Sequence, residues 1–326
     1  MIGEAKHTVT ITGLGVNVPE RVVTNEELSR HVDTSDEWIR ERTGIRERRM
    51  ATQEEALSDV ALPAVHAALE QAGVEAEDLD LVLVATVTPD MMFPTTAAIL
   101  ADRLGATAAA AYDLLAGCTG FVYALAQAYG MIAGGLSKRA LVVGGDLLSR
   151  ILDWQDRSTL VLFGDGAGAV VLEPAEEPGF LGFELGADGG GGHHLWLPGS
   201  GSRVFEDADR YVKMNGREVF KFATRVLVQS ADDVLAKTGT TIDDVDVYVP
   251  HQANVRIIDH ATKKLGFPSE KVVVNVQRYG NTSSGSIPLA LADGVADGRL
   301  QKGKLVLMTG MGAGLTWGSA LMRWSI

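Results

Sequence analysis

Residues 112–131 read YDLLAGCTGFVYALAQAYGM, and the fold turns on what this stretch is. An apolar, strand-like run meets, at Gly117, a run rich in Ala and Leu with no proline, which reads as a helix. Cys118, the only cysteine in the chain, falls at that junction. A residue at or just before a helix N-terminus faces unpaired backbone N–H groups and the positive end of the dipole. Such a position is expected to lower a thiol's pKa and make it a nucleophile. A lone cysteine also serves as a small buried hydrophobe, so the local signal leaves both roles open. Residues 114–137 carry no charge, a span long enough for a bilayer. The Gly and Ala content, Thr119, Gln127 and the preceding Asp113 fit a helix at the centre of a large soluble protein instead.

Working outward, the surroundings of this stretch recur about 165 residues later. DLVLV at 80–84 has a counterpart in DVYVP at 246–250, and LVVGG at 141–145 in LVLMTG at 305–310. Between these marks, GCTG at 117–120 falls opposite GNTS at 280–283. Each half reads as strand, loop with a polar residue, apolar helix, strand, which predicts a duplicated α/β unit. The halves are set at residues 1–176 and 177–326, joined near the Pro- and Glu-bearing segment 173–178. The duplication predicts that Cys118 and Asn281 are neighbours in space. Further strands are expected at 9–14, ending at Gly15, and at 79–86, 139–145 and 167–172, with a helix at 58–72 stopped by Gly73. Residues 24–28 and 34–39 open as capped helices, and RTGIRERR at 42–49 reads as a loop with a solvated basic face.

The totals bound the function. The chain of 326 residues, 46% hydrophobic and 22% charged, has the makeup of a globular enzyme. A net charge of −13 argues against nucleic-acid binding through a broad basic face, so an acidic partner must meet a local basic patch. The N-terminal residues MIGEAKHTVTITGLG lack a basic-then-apolar signal region, and one cysteine forms no internal disulfide; a cytoplasmic location without membrane insertion is expected.

Three loops carry candidate chemistry. PHQAN at 250–254 follows an apolar strand, placing His251 at a strand's C-terminal end, where α/β proteins gather reactive groups. YGNTSSGS at 279–286 is a small-residue loop opening a helix, and GMGAG at 310–314 a turn able to aim N–H donors at a substrate oxygen. His193 and His194 are adjacent, but no acidic or Cys spacing supports a metal site.

Taken together, LAGCTGF at 115–121, PHQAN at 250–254, YGNTS at 279–283 and GAGLTWG at 312–318 resemble the β-ketoacyl-acyl carrier protein synthase III family, condensing enzymes of the thiolase fold. The resemblance runs from residue 12 to the C-terminus. It implies a duplicated α/β fold layered α/β/α/β/α, with two mixed sheets around buried helices. It implies that Cys118 takes an acyl group from acyl-CoA, that His251 and Asn281 hold malonyl-acyl carrier protein during decarboxylation, and that the backbone N–H groups of Cys118 and Ala313 form the oxyanion hole. Loss of CO2 leaves an enolate, which two neutral donors stabilise without protonating the carbon. Trp38 and Arg42, with Arg157 nearby, resemble the CoA adenine site, and Asn254 a support for the pantetheine arm. Lys221, Gln252 and Arg256 resemble carrier-protein contacts, and Phe93 a residue reaching the primer pocket from the other subunit of a homodimer. Arg217 stands where some members carry a pantetheine-binding Asn. The resemblance implies acyl-CoA and malonyl-carrier protein as substrates, and no cofactor is expected. The rivals are a same-scaffold condensing enzyme of secondary metabolism and a non-catalytic acyl-binding subunit; thiolase, which needs a second active-site Cys, is disfavoured.

Overall fold

The computed structural model describes residues 7–203, 205 and 210–326. Among them, nine strands form two main sheets. The first contains β1 (Thr8–Asn17), β2 (Leu81–Ala85), β3 (Ala110–Leu114), β4 (Ala140–Leu147) and β5 (Asp165–Ala175), in the order β1-β5-β4-β2-β3. The second contains β6 (Phe180–Ala187), β7 (Val247–Pro250), β8 (Leu305–Gly312) and β9 (Thr316–Arg323), in the order β6-β9-β8-β7. Both are mixed. β2 pairs parallel with β3 and β4, while β5 pairs antiparallel with β4 and β1. In the second sheet β7 pairs parallel with β8, and β9 antiparallel with β8 and β6. The order β1-β5-β4-β2 is thus repeated as β6-β9-β8-β7, with β3 added at the edge of the first sheet.

The helices used below are α1 (Asp36–Thr43), α2 (Leu57–Ala72), α3 (Thr96–Leu104), α4 (Gly120–Ala133), α5 (Gly216–Thr238), α6 (Val255–Lys264) and α7 (Ser286–Ala296). α4 and α7 lie between the sheets: Phe121, Leu125, Ile287 and Leu291 pack in one cluster with Leu83 and Val142 of the first sheet and Val249 and Met308 of the second. Successive strand side chains alternate faces, so Val82 and Val84 point the other way, against Val60, Ala64 and Leu100 of α2 and α3. On the far side, Val234 of α5 and Ile258 of α6 cover Tyr248, Leu307 and Leu321. The five layers follow. Strands buried on both faces need apolar residues at every position, which is why β2 reads as a continuous apolar run. Among the described residues no helix is long and apolar enough to cross a membrane.

Two local expectations fail for steric and electrostatic reasons. β1 does not stop at Gly15 but continues to Asn17; α2 presses so closely on this strand that a β-carbon at Gly15 would sit 2.0 Å from Ala64 O. That glycine marks a close approach rather than a turn. In the basic segment, Glu47–Arg49 is a short strand paired with Val22–Thr24, and Arg48 is fully buried. Its guanidinium donates to Val23 O, Asn25 Oδ1 and Val161 O, and burial pushes its pKa down to about 10. A planar fork of donors finds its acceptors on carbonyls here, without a carboxylate.

Candidate active site

The site forms where matching loops of the two halves meet. Gly117–Thr119 is a single tight turn leading into α4, so Cys118 does stand at a helix N-terminus. In the other half, the turn Ser283–Gly285 leads into α7, with Asn281 just before it. Each reactive residue is preceded by a glycine of left-handed backbone, Gly117 (φ 57°) and Gly280 (φ 66°). The end of β8 closes the arrangement. A β-carbon at Gly312 would lie 2.4 Å from Cys118 N, and one at Gly117 would lie 2.7 Å from Ala313 N. The main chains at 117–118 and 312–313 therefore run against each other, bringing the N–H groups of Cys118 and Ala313 into the same small region.

Cys118, His251 and Asn281 line one cavity of ≈ 150 Å³, together with Asn254, Phe220 and Met214. Cys118 also lines a second, mostly apolar cavity of ≈ 340 Å³ with Val87, Leu148, Ile151, Phe163, Leu195 and Ala313. The sulfur thus stands where two mostly apolar cavities meet, the smaller one carrying the polar ends of His251, Asn254 and Asn281. The expected proximity of residues 118, 251 and 281 is present.

The polar groups are oriented by specific partners. His251 Nδ1 is 2.6 Å from Ser286 Oγ, the first residue of α7, and Ser286 Oγ also accepts from Gln252 N–H at 3.3 Å. The serine's own proton can be given to Nδ1, an arrangement that leaves the ring proton on Nε2. Burial pushes the His251 pKa from 6.5 down to about 3, so the ring is neutral. Asn281 Oδ1 accepts from Ser283 N–H at 2.9 Å, leaving its N–H2 as the donor end. Beneath the loop, the buried Asp146 carboxylate accepts from Thr86 Oγ1 (2.9 Å) and Val87 N–H (2.7 Å) of one half and from Ser284 Oγ (2.7 Å) of the other.

The thiol departs from expectation in sign. Burial pushes Cys118 up to about 12, with Asp146 adding to the rise and the Ser283 hydroxyl opposing it. A helix N-terminus favours the thiolate, but here loss of solvent outweighs it and the resting group is the neutral thiol.

The outlying residues divide into three sets. Arg157 and Arg42 lie over the Trp38 ring, their guanidinium carbons 5.0 and 6.0 Å from its centroid. Asn254 Nδ2 donates to Arg42 O at 3.1 Å while the residue lines the smaller cavity, linking this cluster to the mouth. Lys221 is exposed and bonded to Glu218, and Arg256 lies 5.7 Å over Phe220 at the same mouth. Arg217 is exposed at the start of α5. Phe93 is 82% exposed and lines neither cavity of its own chain. Gln252 is a correction. It is 0% exposed, donates to Pro250 O and Val273 O, and accepts from Asn275 N–H. With its amide committed to bracing the loop, it has no surface to offer a carrier protein. The sequence reading missed Ser286 and Asp146. Ser286 stood inside the quoted loop 279–286, but its bond to His251 exists only once both halves are folded.

Residues 112–189 match the family model described as 3-oxoacyl-[acyl-carrier-protein (ACP)] synthase III, and residues 235–324 match its C-terminal counterpart. A β-ketoacyl-[acyl-carrier-protein] synthase III of Symbiobacterium thermophilum is 55% identical over 97% of this chain and 98% of its own. One from Geobacillus kaustophilus is 52% identical over 96% and 98%. The crystal structure of the Thermus thermophilus β-ketoacyl-[acyl-carrier-protein] synthase III superposes with a TM-score of 0.93 at 50% identity, covering 97% of this chain and 99% of that one. The priming β-ketosynthase of the R1128 polyketide pathway superposes with a TM-score of 0.94 at 37% identity, covering 99% and 98%.

The buried imidazole has a thermodynamic signature. Its folded pKa, about 3, lies below the ordinary 6.5, so on acidification the unfolded chain takes up a proton that the folded chain refuses. The stability this residue contributes is complete above pH 6.5 and drains away as pH falls toward 3. The stability gap between the native protein and His251→Gln should therefore shrink on acidification, by up to about 1.4 kcal/mol per pH unit, in denaturant unfolding at several pH values. A gap independent of pH would contradict a neutral buried ring.

Proposed function

The chain belongs to the β-ketoacyl-[acyl-carrier-protein] synthase III family, and we propose that it joins a short acyl group from acyl-CoA to malonyl-acyl carrier protein, releasing CoA and CO2 and yielding 3-oxoacyl-carrier protein, the initiating condensation of fatty-acid synthesis. The observation that carries this reading is the single cavity shared by the Cys118 sulfur, the neutral His251 ring and the Asn281 amide. Identities of 55% and 52% to the Symbiobacterium and Geobacillus synthase III enzymes, against 37% to the polyketide priming enzyme, support fatty-acid synthesis over a specialised pathway.

Cys118 attacks the acyl-CoA carbonyl, and CoA departs carrying the thiol's proton. The acyl chain turns into the apolar cavity. Malonyl-carrier protein then loses CO2, and the enolate oxygen receives hydrogen bonds from His251 Nε2–H and the Asn281 amide. The enolate carbon attacks the acyl-Cys118 carbonyl, the developing oxyanion rests against the Cys118 and Ala313 N–H groups, and collapse expels the Cys118 sulfur as a thiolate, which takes a proton from water to restore the resting thiol. Electrons and atoms balance without a cofactor. Trp38, Arg42 and Arg157 hold the CoA adenine, since guanidinium planes stack on aromatic faces. Asn254 guides the pantetheine arm.

Lys221 and Arg256 receive the acidic carrier at the cavity mouth, within a basic region that continues through Arg225, His260 and Lys264. The protein acts in the cytoplasm as a homodimer. Supporting the dimer are the exposed apolar residues Met92 (72%), Phe93 (82%) and Leu115 (78%) and the edge strand β3, an arrangement that single chains rarely leave uncovered.

Cys118→Ala should take no covalent label from short acyl-CoAs such as acetyl- or isobutyryl-CoA. Asn281→Ala should be labelled normally yet lose condensation by roughly a hundredfold or more; equal loss of both half-reactions would refute the division of roles. Lys221→Glu and Arg256→Glu should raise KM for malonyl-carrier protein about tenfold while KM for acyl-CoA stays put, and an unchanged carrier KM removes the docking assignment. In analytical ultracentrifugation the native protein should sediment as a dimer and Phe93→Asp as a weaker one. A monomeric native protein ends that proposal.

A further inference from the structure

Ser283 has three properties that the condensation does not use. It is 1% exposed, and its Oγ is buried without a hydrogen-bond partner. Among the described residues it is the one non-glycine with a positive φ, 50°. It also lines the apolar cavity with Cys118 and Ala313. Buried hydroxyls are nearly always paired, and a left-handed backbone is taken most easily by glycine. Other hydroxyls lack partners too, Thr282 Oγ1 among them, but Ser283 is the one whose hydroxyl acts on the Cys118 sulfur, favouring its charged form. No aligned hydrogen bond joins the two in the resting state. A neutral thiol is a weak acceptor, whereas a thiolate accepts strongly.

We propose that Ser283 is a positioning residue for the nucleophile: its hydroxyl is held in reserve and donates to the Cys118 sulfur once that sulfur becomes a thiolate. The strained backbone serves this end. Ser283 N–H is tied to Asn281 Oδ1, so the loop that aims the amide also fixes where the hydroxyl stands. The ionisable groups facing the sulfur are few. Burial opposes its ionisation most, and Asp146, from β4, adds to that; His251, across the smaller cavity, is neutral. Ser283 is then the side-chain donor placed to offset them, beside the dipole of α4.

The proposal rests on Cys118 being the acyl acceptor, and its test needs no substrate. Alkylation of Cys118 by iodoacetamide should be followed against pH in the native protein, Ser283→Ala and Ser283→Gly, with thermal melting as a check on folding. Both variants should slow alkylation roughly tenfold at every pH across the neutral range, where the rate follows the small thiolate fraction. Ser283→Gly keeps the test valid if Ser283→Ala folds poorly, because glycine adopts φ 50° freely. Unchanged alkylation rates in both variants overturn the proposal. A slower rate in Ser283→Ala with none in Ser283→Gly overturns it as well, since the backbone would then be the cause. Failure of acyl-CoA to label Cys118 in the native protein sinks the underlying reading instead, whatever the alkylation profiles.

Discussion

The Gly117–Cys118 main chain lies so close to Gly312–Ala313 that neither glycine has room for a β-carbon. One segment enters from the first half and the other from the second. Everything chemical depends on that approach, because the loop after β7 and the loop before α7 can reach the sulfur only if the halves dock at this distance. The buried Asp146 carboxylate reinforces it, accepting from Thr86 and Val87 on one side and from Ser284 on the other. A buried charge that gathers this many donors is costly to disturb, since each freed donor would be left dry.

Burial governs the electrostatics that result. It keeps the imidazole neutral and the thiol protonated, with values near 3 and near 12. The first suits a hydrogen-bond donor to an enolate; the second means that the nucleophile is generated during the reaction rather than stored. Dry surroundings also strengthen each donor that remains aimed at the site. The same removal of water that suppresses a resting thiolate makes the backbone N–H groups and the Asn281 amide more effective toward an oxyanion.

Much of this was legible in the sequence, and for physical reasons. Strands buried on both faces leave unbroken apolar runs, so β2, β4 and β8 were readable; the loops at 117, 251 and 281 stood out as small or polar residues between such runs. Boundaries failed where a neighbour decided them, as with Gly15 under α2. Side-chain environment failed more often. Gln252 reads as an exposed polar residue beside a histidine, yet its amide closes three backbone bonds inside the protein. Arg48 sits in a basic cluster that looks solvated, yet its acceptors are carbonyls from segments distant in sequence. The sign of the thiol's shift depends on how much water is removed around it, and local sequence carries no such information.

The residues before Cys118 and before Asn281 are both glycines of positive φ. One leads to a nucleophile and the other to an amide. Within one polypeptide the two halves keep a common strand order yet need not present the same group, so a thiol and an amide face one cavity where two identical halves could offer only like against like.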